Sequence, residues 1–275
     1  MLSIPLSGRV NQKFPGCSSA FELKHVVGEG VGIDYGYTFA KYMLYSRKDN
    51  NKFYPFFDFR SFLSNEGHLG GSLGFGGRFQ LDSLPFIAGA NVYYDVRAMD
   101  HRVYYQLGVG LEALNFYGID VSLNGYFPIE HKKRLDNDLF LYDGGYFVRI
   151  KPYQFPQCGT GLILGRTVNL TPDFGAYFSL EGYYYNSIGC EVKTVVGGRG
   201  AMRLIYKAIR GGVSISQDHI FGTNIQGEIG LFFSFGGNDK KNRWIQRPFV
   251  NRNDTIAVMH CTQWRWNYAS PPQDG

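Results

Sequence analysis

The sequence predicts an all-β protein, a closed antiparallel transmembrane β-barrel of about twelve strands. Three observations predict it. Residues 86–127 hold three runs with an apolar residue at every second position. The first set is Phe86, Ala88, Ala90, Val92, Tyr94 and Val96. The second is Val103, Tyr105, Leu107, Val109, Leu111 and Ala113, and the third is Tyr117, Ile119, Val121, Leu123 and Phe127. Strand side chains alternate between faces, so each run has one apolar face. The second observation is the opposite face, which carries Asn91, Asp95, Arg97, Gln106, Gly108, Gly110, Glu112, Asp120, Ser122 and Asn124. The third is length: runs of roughly ten residues suit a tilted crossing of the hydrocarbon core. A soluble sandwich buries its apolar faces against a second sheet. A membrane barrel turns them outward and keeps charge and glycine inside.

Composition agrees. A chain of 275 residues is ordinary for a single all-β barrel, and 20 Tyr, 23 Phe and 36 Gly favour strands, interface girdles and a narrow interior. The mean hydropathy of −0.21 is no objection, because half of each barrel strand is polar. No apolar run approaches the length of a transmembrane helix. The net charge of +5 comes from scattered bases, with small clusters at residues 132–134 and 240–243. These read as solvated loops beside a membrane. The aromatics repeat with period two on the apolar face, which speaks against a nucleic-acid surface. Cys17, Cys158, Cys190 and Cys261 lack metal-ligand spacing. An oxidising compartment would permit a disulfide, with the pairing open.

In chain order, residues 1–26 lack period two and are expected to form an irregular leader. They also lack the basic start and sustained apolar core of a signal peptide, although an outer-membrane barrel needs export. The first strand is expected from Val27, where Ile33, Tyr35, Tyr37 and Phe39 alternate with Asp34, Gly36, Thr38 and Ala40. The polar run 47–52 is a loop. Residues 53–63 form the second strand, with Asp58 and Arg60 on its polar face. Asn65-Glu66-Gly67 signals a turn, and residues 68–81 form the third strand, with Arg78 inward. The runs in 86–127 are strands four to six. After a charged loop at 129–138, residues 140–151 form the seventh strand, with Asp143 and Arg149 on one face. A short eighth run covers 159–168. The ninth, 174–185, turns Phe174, Ala176, Phe178, Leu180 and Tyr184 outward and Glu181 inward. The tenth, 192–204, places Lys193, Arg199 and Arg203 on its polar face. The eleventh is 209–217. The twelfth, 225–235, turns Ile225, Ile229, Leu231, Phe233 and Phe235 outward and Glu228 inward. The barrel is thus expected over 27–237. Residues 238–275 form a tail able to plug the lumen or act as a linker.

The lumen-facing charges expected from this pattern are Asp34, Asp58, Arg60, Arg78, Asp95, Arg97, Glu112, Asp120, Asp143, Arg149, Glu181, Arg199, Arg203 and Glu228. Near balance of sign favours paired charges that fix strand register, because an unpaired buried charge is costly. A charged, water-filled pore is the other reading. His25, His68, His101, His131, His219 and His260 are isolated, and no catalytic or phosphate-loop motif surrounds them. No enzyme activity, cofactor or metal is expected.

Three segments in order, GANVYYDV, HRVYYQLGVGLEAL and YGIDVSLNGYFP, resemble the β-domain of inverse autotransporters of the intimin/invasin type. The resemblance rests on Asn91, Tyr94, Asp95, Arg102, Leu107, Gly108, Gly110, Glu112, Asn124, Gly125, Tyr126 and Phe127. The earlier PFFDFRSFLSNEGHLGGSLGFGGRF is similar to that family's paired second and third strands. The resemblance implies a twelve-stranded barrel in the bacterial outer membrane, with a linker returning through the lumen. It implies outer-membrane lipid and the outer-membrane assembly machinery as partners, and adhesion through an unspecified surface or host ligand. This sequence departs from the family's pattern: no immunoglobulin-like passenger follows and no LysM-like module precedes. The expected function is therefore to anchor or translocate a short C-terminal segment at the cell surface. The alternative is a passive porin-like channel.

Overall fold

The computed structural model describes residues 17–46, 53–80, 86–99, 102–129, 133–134, 139–143, 146–171, 173–186, 194–235 and 249–268. Its strands are β1 (Cys17–Val27), β2 (Tyr37–Ser46), β3 (Phe53–Ser64), β4 (Leu69–Gln80), β5 (Ile87–Met99), β6 (Arg102–Phe116), β7 (Ile119–Pro128), β8 (Lys133–Arg134), β9 (Leu139–Asp143), β10 (Tyr146–Pro156), β11 (Cys158–Asn169), β12 (Phe174–Asn186), β13 (Thr194–Tyr206), β14 (Ile209–Asp218), β15 (Gly222–Phe235) and β16 (Val258–Tyr268). Twelve of them close a barrel in the order β1-β15-β14-β13-β12-β11-β7-β6-β5-β4-β3-β2. All neighbours are antiparallel. The closing seam pairs β1 with β15, from Ser19 opposite Phe235 to Val27 opposite Gly227. Closure leaves the wall without an open edge. The remaining strands form a second sheet in which β10 pairs with β8, β9 and β16.

The alternation read from residues 86–127 is the alternation of the wall. On β5, Asn91, Tyr93, Asp95 and Arg97 are buried, while Ala90, Val92 and Tyr94 are exposed. On β6, Leu107, Val109 and Leu111 point out between buried Gln106, Gly108, Gly110 and Glu112. The outward set continues around the barrel: Leu69 is 63% exposed, Leu180 68% and Ile229 66%. A monomer in water rarely exposes so continuous an apolar belt. Wrapped around a closed barrel with polar residues inside, it is a lipid-facing band.

Five expectations need correction. The stretch assigned to an irregular leader contains β1, because Phe21 and Leu23 alternate with Glu22 and Lys24; residues 1–16 lie outside the described residues. The expected first strand, from Val27, is instead the end of β1, an inward-folded loop at 28–36 and the start of β2. Asp34 is exposed in that loop rather than lumen-facing. Tyr37 and Phe39 face inward, where they pack with Val26, Ile33 and Phe62. The expected seventh strand, 140–151, is not part of the wall. Asp143 and Arg149 belong to β9 and β10 of the second sheet, because β7 pairs directly with β11. The count of twelve survives because β1 replaces that strand. Lys193 lies outside the described residues.

The barrel has two unlike ends. β1 begins and β15 ends at the base, which also carries the two-residue turns Tyr117-Gly118 and Lys207-Ala208. The opposite end, the rim, carries the loop 28–36 and the long excursion 129–157 that contains β8, β9 and β10.

Candidate functional site: an occupied lumen

Beyond β15 the chain re-enters the barrel. Residues 249–257 cross the lumen from base to rim, and β16 follows, paired with β10 at the rim. The path is fixed by its contacts. Val250 packs against Met43, Tyr45, Phe56 and Tyr93, toward the base. Ile256 packs against Met99, Tyr104 and Val258, at the rim ends of β5 and β6. The amide of Gln157 donates to the carbonyl of Ala257 at 2.9 Å, where the segment leaves the barrel.

Charge fixes the middle of the path. Asp254 meets Lys24 Nζ at 2.7 Å, Lys41 Nζ at 2.9 Å and Arg60 Nη1 at 3.4 Å. These cations come from β1, β2 and β3, and Lys41 lies directly opposite Arg60 in the register. Lys24 also reaches Glu228 on β15, at 3.3 Å across the closing seam, and Glu228 accepts from Arg203. Arg252 makes a two-pronged contact with Asp95, Nη1 to Oδ1 at 3.0 Å and Nη2 to Oδ2 at 2.6 Å. Its guanidinium lies 4.1 Å from the Tyr93 ring centroid. Paired forks of this kind join a planar cation to a carboxylate with defined geometry. Arg60 donates to Asp58 at 2.7 Å and to the carbonyl of Val250 at 2.9 Å. Tyr93 donates to Asp58 at 2.6 Å.

The resemblance motif surrounds this segment. Asp95 holds Arg252. Asn124 Nδ2 donates to the carbonyl of Asn251 at 3.0 Å, and the Tyr126 hydroxyl accepts from the amide of Asn253 at 2.9 Å. Gly108 faces the Arg252 guanidinium: a Cβ there would lie 2.6 Å from Nη2. Gly110 sits between Asn91 and Asn124, with the nearest oxygen 2.5 Å from where a Cβ would stand. Gly125 faces outward beside Phe127 and Val109. Glu112 holds Arg78 at 3.1 Å.

The other expected lumen charges divide. Glu181 meets Arg199 at 3.4 Å. Arg97 donates to the carbonyls of Gly32, at 3.0 Å, and Ile256. Asp120 lies near the base and accepts from the amide of Asn115 at 2.9 Å, tying down the β6–β7 connection. Sequence reasoning missed Glu22, Lys24, Lys41, Arg210, Arg252 and Asp254. The first two lay in the supposed leader and the last two in a tail without period two. Period two in FELKHVV was the available signal for Glu22 and Lys24.

A cavity of about 270 Å³ remains beside the segment. Its charged lining includes Glu22, Arg78, Glu112, Glu181, Arg199, Arg203 and Arg210, so its charge is of both signs rather than uniformly basic, and apolar residues such as Val26, Leu114 and Ile163 share the lining.

The closed wall, lipid-facing band and polar interior define an outer-membrane β-barrel whose lumen is occupied by its own chain. No family model matches the chain, and no curated protein matches it. Among solved structures, one from a study of the in-meso crystallization of membrane proteins aligns over 88% of this chain and 100% of its own, with a TM-score of 0.63 and 16% identity. The KdgM porin in complex with disordered oligogalacturonate aligns over 79% of this chain and 99% of its own, with a TM-score of 0.45 and 12% identity. An outer membrane channel from Pseudomonas putida F1 aligns over 79% of this chain and 95% of its own, with a TM-score of 0.47 and 10% identity. Similarity at these identities speaks to the fold and leaves activity open.

Proposed function

We propose that this outer-membrane barrel anchors its own C-terminal segment across the lumen and presents the following strand at the cell surface. One observation carries the reading: residues 249–257 run from the base, where both ends of the barrel wall lie, to the rim. Both ends of the barrel wall at the base and the long excursion 129–157 at the rim fit a periplasmic base and a surface-facing rim. The anchoring groups are Lys24, Lys41, Arg60 and Asp95 on the wall, with Asp254 and Arg252 on the segment. This path accords with the inverse-autotransporter resemblance. Adhesion and secretion draw no support from the comparisons, so the reading stops at anchoring and display.

The test uses intact cells and a membrane-impermeant maleimide, in a background with the four native cysteines replaced by serine. Tyr268→Cys is expected to label in intact cells. Lys207→Cys, at the base, is expected to label only after the outer membrane is opened. The reverse pattern would overturn the reading.

A passive porin-like channel is the second reading. The 270 Å³ cavity beside the segment, with charges of both signs in its lining, favours it. A steady ohmic conductance of the wild-type barrel in a planar bilayer would favour the channel over the anchor.

A further inference from the structure

Apolar clusters stand at both ends of the lumen, around Val250 and around Ile87 and Leu114 toward the base and around Val31 at the rim. The cavity lies between them and carries charged side chains at its base end. Arg78, Glu112, Asp120, Thr167 and Arg210 line it close to the base turns. At the rim the cavity ends on Gly30, Val31 and Ile33 of the loop 28–36, where an apolar cluster stands. Val31, from the inward-folded loop 28–36, packs with Tyr126, Tyr183, Tyr185, Val195, Ala257 and Met259, and Ile220 and Phe221 pack against it.

The tyrosines present rings to this cluster because their hydroxyls are engaged elsewhere. Tyr183 donates to Asp218 at 2.7 Å, Tyr126 accepts from the amide of Asn253, and Tyr185 meets the Asn253 side chain. With the three hydroxyls engaged, the rings offer water little to bind, and apolar constrictions block ions by losing their water.

Besides wall residues the cluster contains the loop 28–36 and the crossing segment, and one residue ties those two. Arg97 Nη1 donates both to the carbonyl of Gly32, in the loop, and to the carbonyl of Ile256, in the crossing segment. Gly32 has φ of 67°, and a Cβ there would lie 2.9 Å from both the Ala257 Cα and the Val258 amide nitrogen. The loop tip and the segment are therefore in backbone contact.

We propose that this rim cluster is a gate. The cavity beside the segment is a vestibule whose rim end meets the loop 28–36, and the Val31 tip closed on Ala257 by Arg97 seals that end against small hydrated ions. The ion pairs of Asp254 and Arg252 hold the segment, whereas the apolar contact at the rim stops conduction. The inference rests on the segment crossing the lumen, and it assigns the closed and conducting states to one identifiable contact.

The test is planar-bilayer conductance of the full chain in potassium chloride. Folding of each variant is checked by heat-dependent mobility on a gel. The wild type is expected to be closed for most of the recording. Val31→Asp places a charge in the seal, and Arg97→Ala unties the loop from the segment. Each is expected to raise mean conductance at least tenfold. Thr167→Asp, in the vestibule near the base, is expected to leave conductance within twofold of wild type.

A wild type that conducts steadily overturns the gate, as does a folded Val31→Asp and Arg97→Ala pair that both stay closed. If one variant fails to fold, Tyr185→Ala, which thins the seal without adding charge, takes its place with the same expected rise. The maleimide experiment reads the segment's path independently. Tyr268→Cys labelled from the surface with a conductance that ignores the rim variants would retain the anchor and remove the gate. Tyr268→Cys labelled only from the base would remove the anchor itself.

Discussion

At the scale of single residues, the lumen is organised by a few buried charges that each serve two elements. Asp254 is the clearest. Its carboxylate faces cations from three neighbouring strands, so removing it leaves three buried cations crowded together with only Glu228, Asp58 and the more distant Glu22 to offset them. Asp254→Ala is expected to cost about 3–5 kcal/mol, the range for breaking a buried ion pair from one side. The measurement is the denaturant midpoint in detergent, followed by β-type circular dichroism. Gly108 acts through space rather than charge. Any side chain there meets the Arg252 guanidinium, so Gly108→Leu is expected to displace Arg252 from Asp95. The two defects then share one contact. A Gly108→Leu, Arg252→Ala double variant is expected to be no less stable than the sum of the singles predicts, with a coupling of roughly 1 kcal/mol or more by a double-mutant cycle. Additive losses would show that Gly108 does not act by making room for Arg252.

At the scale of elements, wall and segment differ in what holds them. The wall is held by cross-strand hydrogen bonds around a closed circuit, and the segment by side chains reaching in from that wall. A chain ending at Phe235 is therefore expected to close its barrel and to keep the compact, unboiled band on a gel. Its denaturant midpoint is expected to be lower than that of the full chain, because Lys24, Lys41 and Asp95 lose their segment partners. Failure of that truncated chain to give a compact band would mean that the segment helps to close the β1–β15 seam. The network Asp254–Lys24–Glu228 does cross that seam. The elements also show where period two misleads. Residues 140–151 alternate as a wall strand would, and the chain uses them for β9 and β10 in the second sheet. Alternation reports a two-faced strand and is silent about which sheet the strand joins.

At the scale of the whole molecule, the outward band sets the environment. Leu180 and Leu111 lie on that band. Leu180→Arg is expected to cost about 2–4 kcal/mol if its level is near the bilayer midplane. Ser214→Arg, on the lumen side of β14 and lining the cavity, is expected to cost less than half as much. Denaturant titration in lipid vesicles compares the two. Equal costs would argue against a lipid-facing outer surface.

The sequence by itself determined the class of fold, the outward band and the polar character of the lumen. Those follow from period-two alternation, which is local and survives without knowledge of neighbours. It also marked Asp95, Gly108, Asn124 and Tyr126, although not what they touch. Only the tertiary structure decided that Cys17–Val27 closes the wall in place of residues 140–151, that Lys24 and Lys41 face Asp254, and that residues 249–257 thread the lumen from base to rim. Each of these depends on contacts between residues far apart in the chain, such as Lys24 with Asp254 and Asp95 with Arg252. A short segment held by side chains from a surrounding wall carries no periodicity of its own, so its place is legible only once the barrel has closed around it.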